Sequence, residues 1–341
     1  MTFATGTIYY VPVTITNSQT TATPSTFQTM VTVNSSNYTS YLASNLQNVN
    51  WQDGSGNILN SWLESGNSNS STSSVYWVKL TTSIPASSST TIYLCFYSTT
   101  TNNFNTTTTG EAPTLSGTYG QYDNGANVFS NYWNFAGTTN PAGWTNSLGS
   151  ASYNNGVTFS GQNGAYLYNT TTYSGDIVID GQWKVTSQAS TTNYGEGAIG
   201  LTSTSGITWD TTFGATRLLE DTSPIYGYIV YGTGGPLTNT VPLNTNVVLT
   251  FMGSSSEMNF LGDYVSQKTY ASAIPSSYYL LGANCDGGAS GVLQWFRTRV
   301  YPPNATMPSS SFGAISILHT ITKSLHYEVR GHTALTKQII T

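Results

Sequence analysis

Charge is what this sequence most lacks. Lys, Arg, Asp and Glu make up 7% of its 341 residues, where an ordinary globular chain carries about 25%. Scarce Lys, Glu and Arg means scarce helix formers, and the abundant Thr, Tyr, Val, Ile and Trp favour strands, so an all-helical fold is excluded. The 9 basic residues are scattered among 14 acidic ones, so the electrostatic footprint of a nucleic-acid binder is absent. No run of about 18 apolar residues occurs, and no membrane-spanning helix is expected. The opening Met1-Thr2-Phe3-Ala4-Thr5-Gly6 has neither the basic n-region nor the apolar h-region of a secretory signal. The expectation is a processed chain, or one that reaches the outside without that signal, as a virion protein made inside its host does.

Cysteine is nearly absent too. Cys95 and Cys285 are far apart and fit no metal-ligand spacing. Cys95 lies in the apolar run Tyr93-Leu94-Cys95-Phe96-Tyr97, which reads as a buried free thiol. A disulfide to Cys285 is the alternative. What replaces charge is neutral and polar: Thr, Ser, Asn, Gly and Tyr. With 38% hydrophobic and 13% aromatic residues, the chain has enough large side chains to build cores and differs from a disordered composition.

The length suits about two domains. From residue 6 to 115 the pattern is of short strands. Val11, Val13 and Ile15 alternate with Pro12, Thr14 and Thr16, the period of a half-buried strand. Pro12 cannot donate to a ladder, so an edge strand or a strand end is expected there. Phe27–Val33, Val75–Leu80 and Thr91–Tyr97 read as further strands, with Asp53-Gly54-Ser55-Gly56-Asn57 as a turn. A β-sandwich over 1–115 is expected. The Thr- and Asn-rich stretch Ser98–Gly117 reads as a surface connection and boundary. From 116 to 313 the chain is again strand-rich, including Asn127–Phe135, Asp176–Val185 and Val292–Val300. So many strands suit a larger jelly roll. The segment 314–341 differs: it holds His319, His326 and His332, with Lys323, Arg330 and Lys337. Ile315, Ile317, Ile321, Leu325, Tyr327 and Val329 share odd positions, a strand period. Such a strand needs a partner, either an edge of its own fold or a neighbouring molecule. The fold class expected is all-β: a sandwich, a larger jelly roll and a C-terminal strand-like extension.

Several motifs carry a resemblance. Tyr10-Val11-Pro12-Val13-Thr14-Ile15-Thr16-Asn17, Trp51-Gln52-Asp53-Gly54-Ser55-Gly56, Trp62-Leu63-Glu64-Ser65, Tyr76-Trp77-Val78-Lys79 and Ile92-Tyr93-Leu94 resemble the domain-of-unknown-function 2341 family of archaeal and bacterial surface proteins. Phe96-Tyr97-Ser98 departs from the Tyr-Gly pair that ends the last strand in many relatives. Val128 to Gly137, Gly143-Trp144 and Leu293 to Pro303 resemble the concanavalin-like (laminin G-like) jelly roll that often follows. The resemblance implies architecture and a surface location but no reaction.

Catalytic constellations are thin. Jelly-roll glycosidases place Glu-x-Asp-x-Glu or a close variant on one strand, and the chemistry needs two carboxylates about 5 to 9.5 Å apart. No such spacing occurs. Asp176 and Asp180 share one parity with Val178 between them, Glu220-Asp221 are adjacent, and Glu196, Asp210, Glu257 and Asp263 stand alone. No Gly-x-Ser-x-Gly elbow is present and the histidines lie in the tail, so triad chemistry and a zinc site are not supported. A non-enzyme is expected, with a jelly-roll glycoside hydrolase as the alternative. Asp123, Asn124 and Asp286 are the best oxygen ligands for calcium, against a reading as plain turns. No other cofactor is implied. Trp144, Trp209, Tyr226, Tyr228 and Tyr231 are candidate platforms for glycans, while Trp183 and Trp295, on strongly apolar strands, read as core. Arg297 and Arg299 share a face with Trp295, which opens cation–π and carboxylate pairing. Asn34, Asn37, Asn69, Asn105, Asn169 and Asn304 each begin an Asn-x-Ser/Thr sequon in an expected loop or strand end.

These readings converge on an extracellular structural or adhesive protein of a cell or virion surface. Its partners would be copies of itself, other surface subunits or glycans, with neither nucleic acid nor a membrane span.

Overall fold

The alternation along Tyr9–Asn17 is realised as a strand whose Val11, Val13 and Ile15 are fully buried. The computed structural model of the protein describes residues 1–148, 150–160, 165–187, 195–203, 211–219, 224–283, 289–318, 322–325 and 337–340. In the first unit, Tyr9–Asn17 pairs with Ser88–Phe96, which also carries Val49–Gln52 and then Ile58–Leu59. A second sheet runs Gln28–Val33, Ser74–Lys79, Ser61–Ser65, Thr109–Glu111, the last pairing parallel. The inward faces of both sheets bury Val31, Trp51, Leu63, Val78, Ile92, Leu94 and Phe96 around Val11, Val13 and Ile15. Cys95 faces the other way as a buried free thiol, and burial pushes its ionisation upward.

The chain returns to this unit at the far end of the sequence. Ser309–Phe312 and Ser316–Ile317 both pair antiparallel with Tyr9–Asn17. The boundary expected at 313 therefore falls inside a returning segment, and Tyr9–Asn17 is one strand in from the edge. Pro12 sits where the added strand breaks, between the pairs Val13–Phe312 and Tyr10–Ser316, and its carbonyl accepts the Gly313 N–H at 2.8 Å. A proline is tolerated there because no ladder bond asks for its missing N–H. The tail thus packs on its own fold as far as Leu318, whose N–H donates to the Ile8 carbonyl. Thr322–Leu325 and Lys337–Ile340 pair with each other. His319, His326, His332 and Arg330 lie outside the described residues.

The second unit is the larger jelly roll, with two antiparallel sheets. One has the order Trp144–Leu148, Tyr166–Asn169, Tyr279–Ala283, Gly195–Thr202, Thr212–Leu219, Ile225–Val230, Thr233–Thr240. The other has the order Ser150–Tyr153, Val157–Ser160, Ser290–Arg299, Ile177–Ser187, Asn246–Gly253, Met258–Gly262, Val265–Tyr270, with Asn131–Trp133 also on Ser290–Arg299. The expected strand over Asn127–Phe135 shortens to Asn131–Trp133, because a helical turn, Gly125–Val128, takes its first two residues. Between the sheets lie Ile179, Trp183, Ile199, Leu201, Leu218, Leu249, Phe251, Phe260 and Leu293. Ile177–Ser187 and Ser290–Arg299 are buried on both faces, because their outer side is covered by the first unit.

Candidate functional site

A register shift builds the junction between the two units. Opposite Ile177–Ser187, Gln182 pairs with Trp295 and Trp183 with Leu293, so Gln294 is an extra residue. Such a bulge reverses the facing of the residues beyond it. Leu293 points into the jelly-roll core, while Trp295 joins Trp62, Trp77, Phe129 and Val248 in a separate apolar cluster between the units. Arg297 and Arg299 share that outward face. The Arg297 guanidinium lies 4.2 to 5.3 Å from the ring centres of Phe129, Trp77, Trp295 and Trp62. Its Nε donates to Asp180 Oδ2 at 2.8 Å and its Nη2 to Glu64 Oε2 at 2.9 Å and to the Tyr264 hydroxyl at 2.7 Å. Arg299 clasps the same carboxylate, Nε to Asp180 Oδ2 at 2.7 Å. Thr250 donates to Asp180 Oδ1. Trp77 Nε1 and Tyr264 each donate to Glu64 Oε2.

Burial alone would raise the Asp180 carboxyl, but Arg299 and Arg297 hold it down to about 2. Burial opposes the charge on Arg297 as well, yet Tyr264, Asp180 and Glu64 raise its pKa above the usual arginine value. Tyr264 reaches this network from a tight hairpin whose central residues, Asp263 and Tyr264, both have left-handed φ (45° and 65°), as that turn class requires. Asp263 holds the turn by accepting from the Val248 N–H and the Tyr226 hydroxyl, at 2.8 and 2.9 Å. The network is enclosed, with Asp180, Arg297 and Glu64 all buried, and it joins the two units.

Beside the junction, and between the units, lies an open cleft of about 680 Å³. Ala22 and Pro24 form its wall on the first unit. The second unit supplies Tyr173, Asp176, the Ser254–Glu257 turn and the Tyr301–Ala305 exit from the last long strand. Pro302 is extended, and Pro303 opens a short 3-10 turn over Pro303–Ala305 just past the strand's end. Asp176 is exposed and its Oδ1 accepts the Ser255 N–H at 3.1 Å. Glu257 is half-buried, with its N–H bonded to Ser254 Oγ. Burial raises the ionisation of the Tyr301 hydroxyl, and the charges of Glu257 and then Asp176 add to the rise. Rings, hydroxyls, amides and two carboxylates thus converge on one concavity. That is the chemistry of polyol recognition, with few polar groups set among apolar walls.

The residues expected to bind fall elsewhere. Trp144 is 3% exposed and packs edge-on against Trp133, Phe135 and Phe296, so its faces belong to the core. Tyr226 is buried with its hydroxyl on Asp263, and Tyr228 is half-buried against Phe260. These are corrections: parity fixes a strand's two faces but not which face a second sheet covers. Tyr231 alone of the platforms described is exposed, and its hydroxyl donates to the Ala273 carbonyl. Trp209 lies outside the described residues. Trp183 and Trp295 are fully buried, as expected.

Asp123 is not arranged as a calcium ligand. Its oxygens accept from Trp62 Nε1, the Tyr132 hydroxyl, Asn134 Nδ2 and the Gly125 N–H. These four donors occupy the lone pairs a cation would need. Asn124 is buried beside it and packs on Gly110, and Asp286 lies outside the described residues. Among the described residues no three His, Cys, Asp or Glu gather into a metal-binding group. Of the sequons, Asn34, Asn37 and Asn304 are exposed and Asn69 and Asn105 half-buried. Asn169 is 2% exposed with its side chain against Gly143, which leaves no space for a glycan.

No family model matches the chain. An uncharacterized protein of Sulfolobus islandicus rod-shaped virus 1 is 41% identical over 125 residues, 36% of this chain and 21% of that protein. The chain therefore spans about a fifth of the length of the curated relative it matches. Among solved structures, a carbohydrate-binding module from Bacillus subtilis overlays at a TM-score of 0.35 and 13% identity, over 47% of this chain and 97% of the module. The LamAcat structure from Zobellia galactanivorans overlays at 0.39 and 12% identity, over 51% and 98% respectively. Any ligand is a matter for the chain's own side chains.

Proposed function

We propose that the chain is a non-enzymatic structural and adhesive subunit of a virion surface that binds glycans in the cleft between its two units. The observation that carries the glycan reading is the cleft itself, where Tyr173 and Tyr301 stand among Ser130, Asn131, Ser254, Ser255 and Ser256. The virion setting is supported by the matched stretch of a rod-shaped-virus protein. The charge-poor, hydroxyl-rich composition suits an exterior that meets partners with little electrostatic steering. Exposed sequons at Asn34 and Asn37, away from the cleft, fit a glycosylated exterior.

A glycan array with the wild type and Tyr301→Ala tests the reading. Binding weakened about tenfold by the loss of the ring is expected. Silence across the array, or binding that ignores Tyr301→Ala, refutes it. One observation favours a second reading, a glycoside hydrolase: Asp176 and Glu257, distant in sequence, line the same cleft. Release of reducing ends from a polysaccharide, abolished by Glu257→Gln, would establish it.

A further inference from the structure

The charges of the cleft bear on which glycan it takes, an inference that rests on the glycan-binding reading above. Its titratable lining residues are Tyr173, Asp176, Glu257, Arg299 and Tyr301. Arg299 is the one cation among them, and it is committed: its Nε and Nη2 bind Asp180 at 2.7 and 3.3 Å, and its Nη1 contacts Met307 Sδ at 3.4 Å. Its charge is cancelled within the junction. Asp176 and Glu257 have no such partner in any ion pair among the described residues. One is exposed and the other half-buried, on opposite segments, with the Tyr301 hydroxyl in reach of both. Among the described residues, a ligand in the cleft therefore meets two carboxylates, two phenol rings and no cation that is not already paired. Carboxylates and aromatic faces both attract a positive group. The carboxylate of an anionic sugar would lose water there and meet repulsion from both acids.

We propose that the cleft selects oligosaccharides carrying a free amino group, and excludes uronic and sialic acids. The ammonium would sit between Asp176 and Glu257, while the neutral hydroxyls of the sugar meet the Ser254–Ser256 turn. Each carboxylate is at least partly solvated, so each should contribute about fivefold at most, and salt should erode the effect.

Calorimetry with the full chain and three matched probes tests this: an oligomer of glucosamine, the same oligomer N-acetylated, and an oligomer of glucuronic acid. The expected order is free amine, then N-acetyl, with no measurable binding of the acid. In Glu257→Gln and Asp176→Asn the advantage of the amine should shrink about fivefold each, while N-acetyl binding persists; a variant that has lost its fold would lose both. Equal or tighter binding of the glucuronate overturns the selectivity and leaves glycan binding intact. Failure of all three probes, alongside silence on the array, removes the glycan reading itself.

Discussion

Asp180 shows how a chain so poor in charge uses the charges it has. It is fully buried and holds two guanidiniums at once. Removing one member of a buried network leaves the others uncompensated, a loss of about 3–5 kcal/mol. Asp180→Asn should therefore lower unfolding stability by that order in urea titrations. Glu64→Gln should cost less, because an amide oxygen can still accept from Trp77 and Tyr264. Equal stability of Asp180→Asn and wild type would mean that the rings, Glu64 and Tyr264 hold Arg297 without it. The same residue sets an acid limit. Its folded pKa, about 2, lies below the usual aspartate value near ~3.9. A depressed folded pKa means stability that is complete above about pH 4 and is lost as pH falls toward about 2. Glu111 and Asp123 run the other way: burial raises both, and the charge of Asp123 adds to the rise at Glu111. They favour the fold in acid and oppose it as pH rises through their folded values. The steepening loss below about pH 4 should thus be larger in wild type than in Asp180→Asn, where the hydrogen-bonded Asp53 still contributes, as read by thermal melts from pH 5 to 2.

At the scale of the element, strand parity could be read from the sequence and strand cover could not. Val11, Val13 and Ile15 were legible as one buried face, and Trp295, Arg297 and Arg299 as sharing another. The bulge at Gln294 was not legible, because an extra residue leaves no mark in a run as apolar as Leu293–Phe296. Nor was the cover over Trp144 and Tyr226. The cleft escaped for a different reason: Tyr173, Glu257 and Tyr301 come from three distant segments whose meeting depends on the sheet order. Glycine carries one signal that needs the structure to be read. Ideal side-chain carbons at Gly197 and Gly291 would lie 2.8 Å from the Trp183 ring, so two strands of opposite sheets leave a slot for that indole. Overpacking such a site costs about 1–3 kcal/mol. Gly197→Ala should show a loss of this size by chemical denaturation, and Gly197→Ala with Trp183→Phe should recover part of it.

At the scale of the whole molecule, the low charge leaves strand edges with few of the usual guards against pairing. The first unit answers by covering one edge with its own C-terminal segment. Ser309–Phe312 and Ser316–Ile317 pair with Tyr9–Asn17, after the chain has completed the whole second unit. The two units are thereby held at two places, the Arg297 junction and this returning strand, and a single cooperative unfolding transition is expected. Two truncations separate the roles of the C-terminal residues. A chain ending after Leu318 keeps both pairings and should match the full chain in thermal midpoint; if residues 319–341 pair with a neighbour, it should lose assembly, seen as a lower mass in light scattering. A chain ending before Ser309 bares the row of N–H and C=O groups on Tyr9–Asn17. It should melt earlier and associate through that edge as concentration rises. If it stays monomeric with an unchanged midpoint, the returning strand is dispensable, and the junction alone holds the two units together.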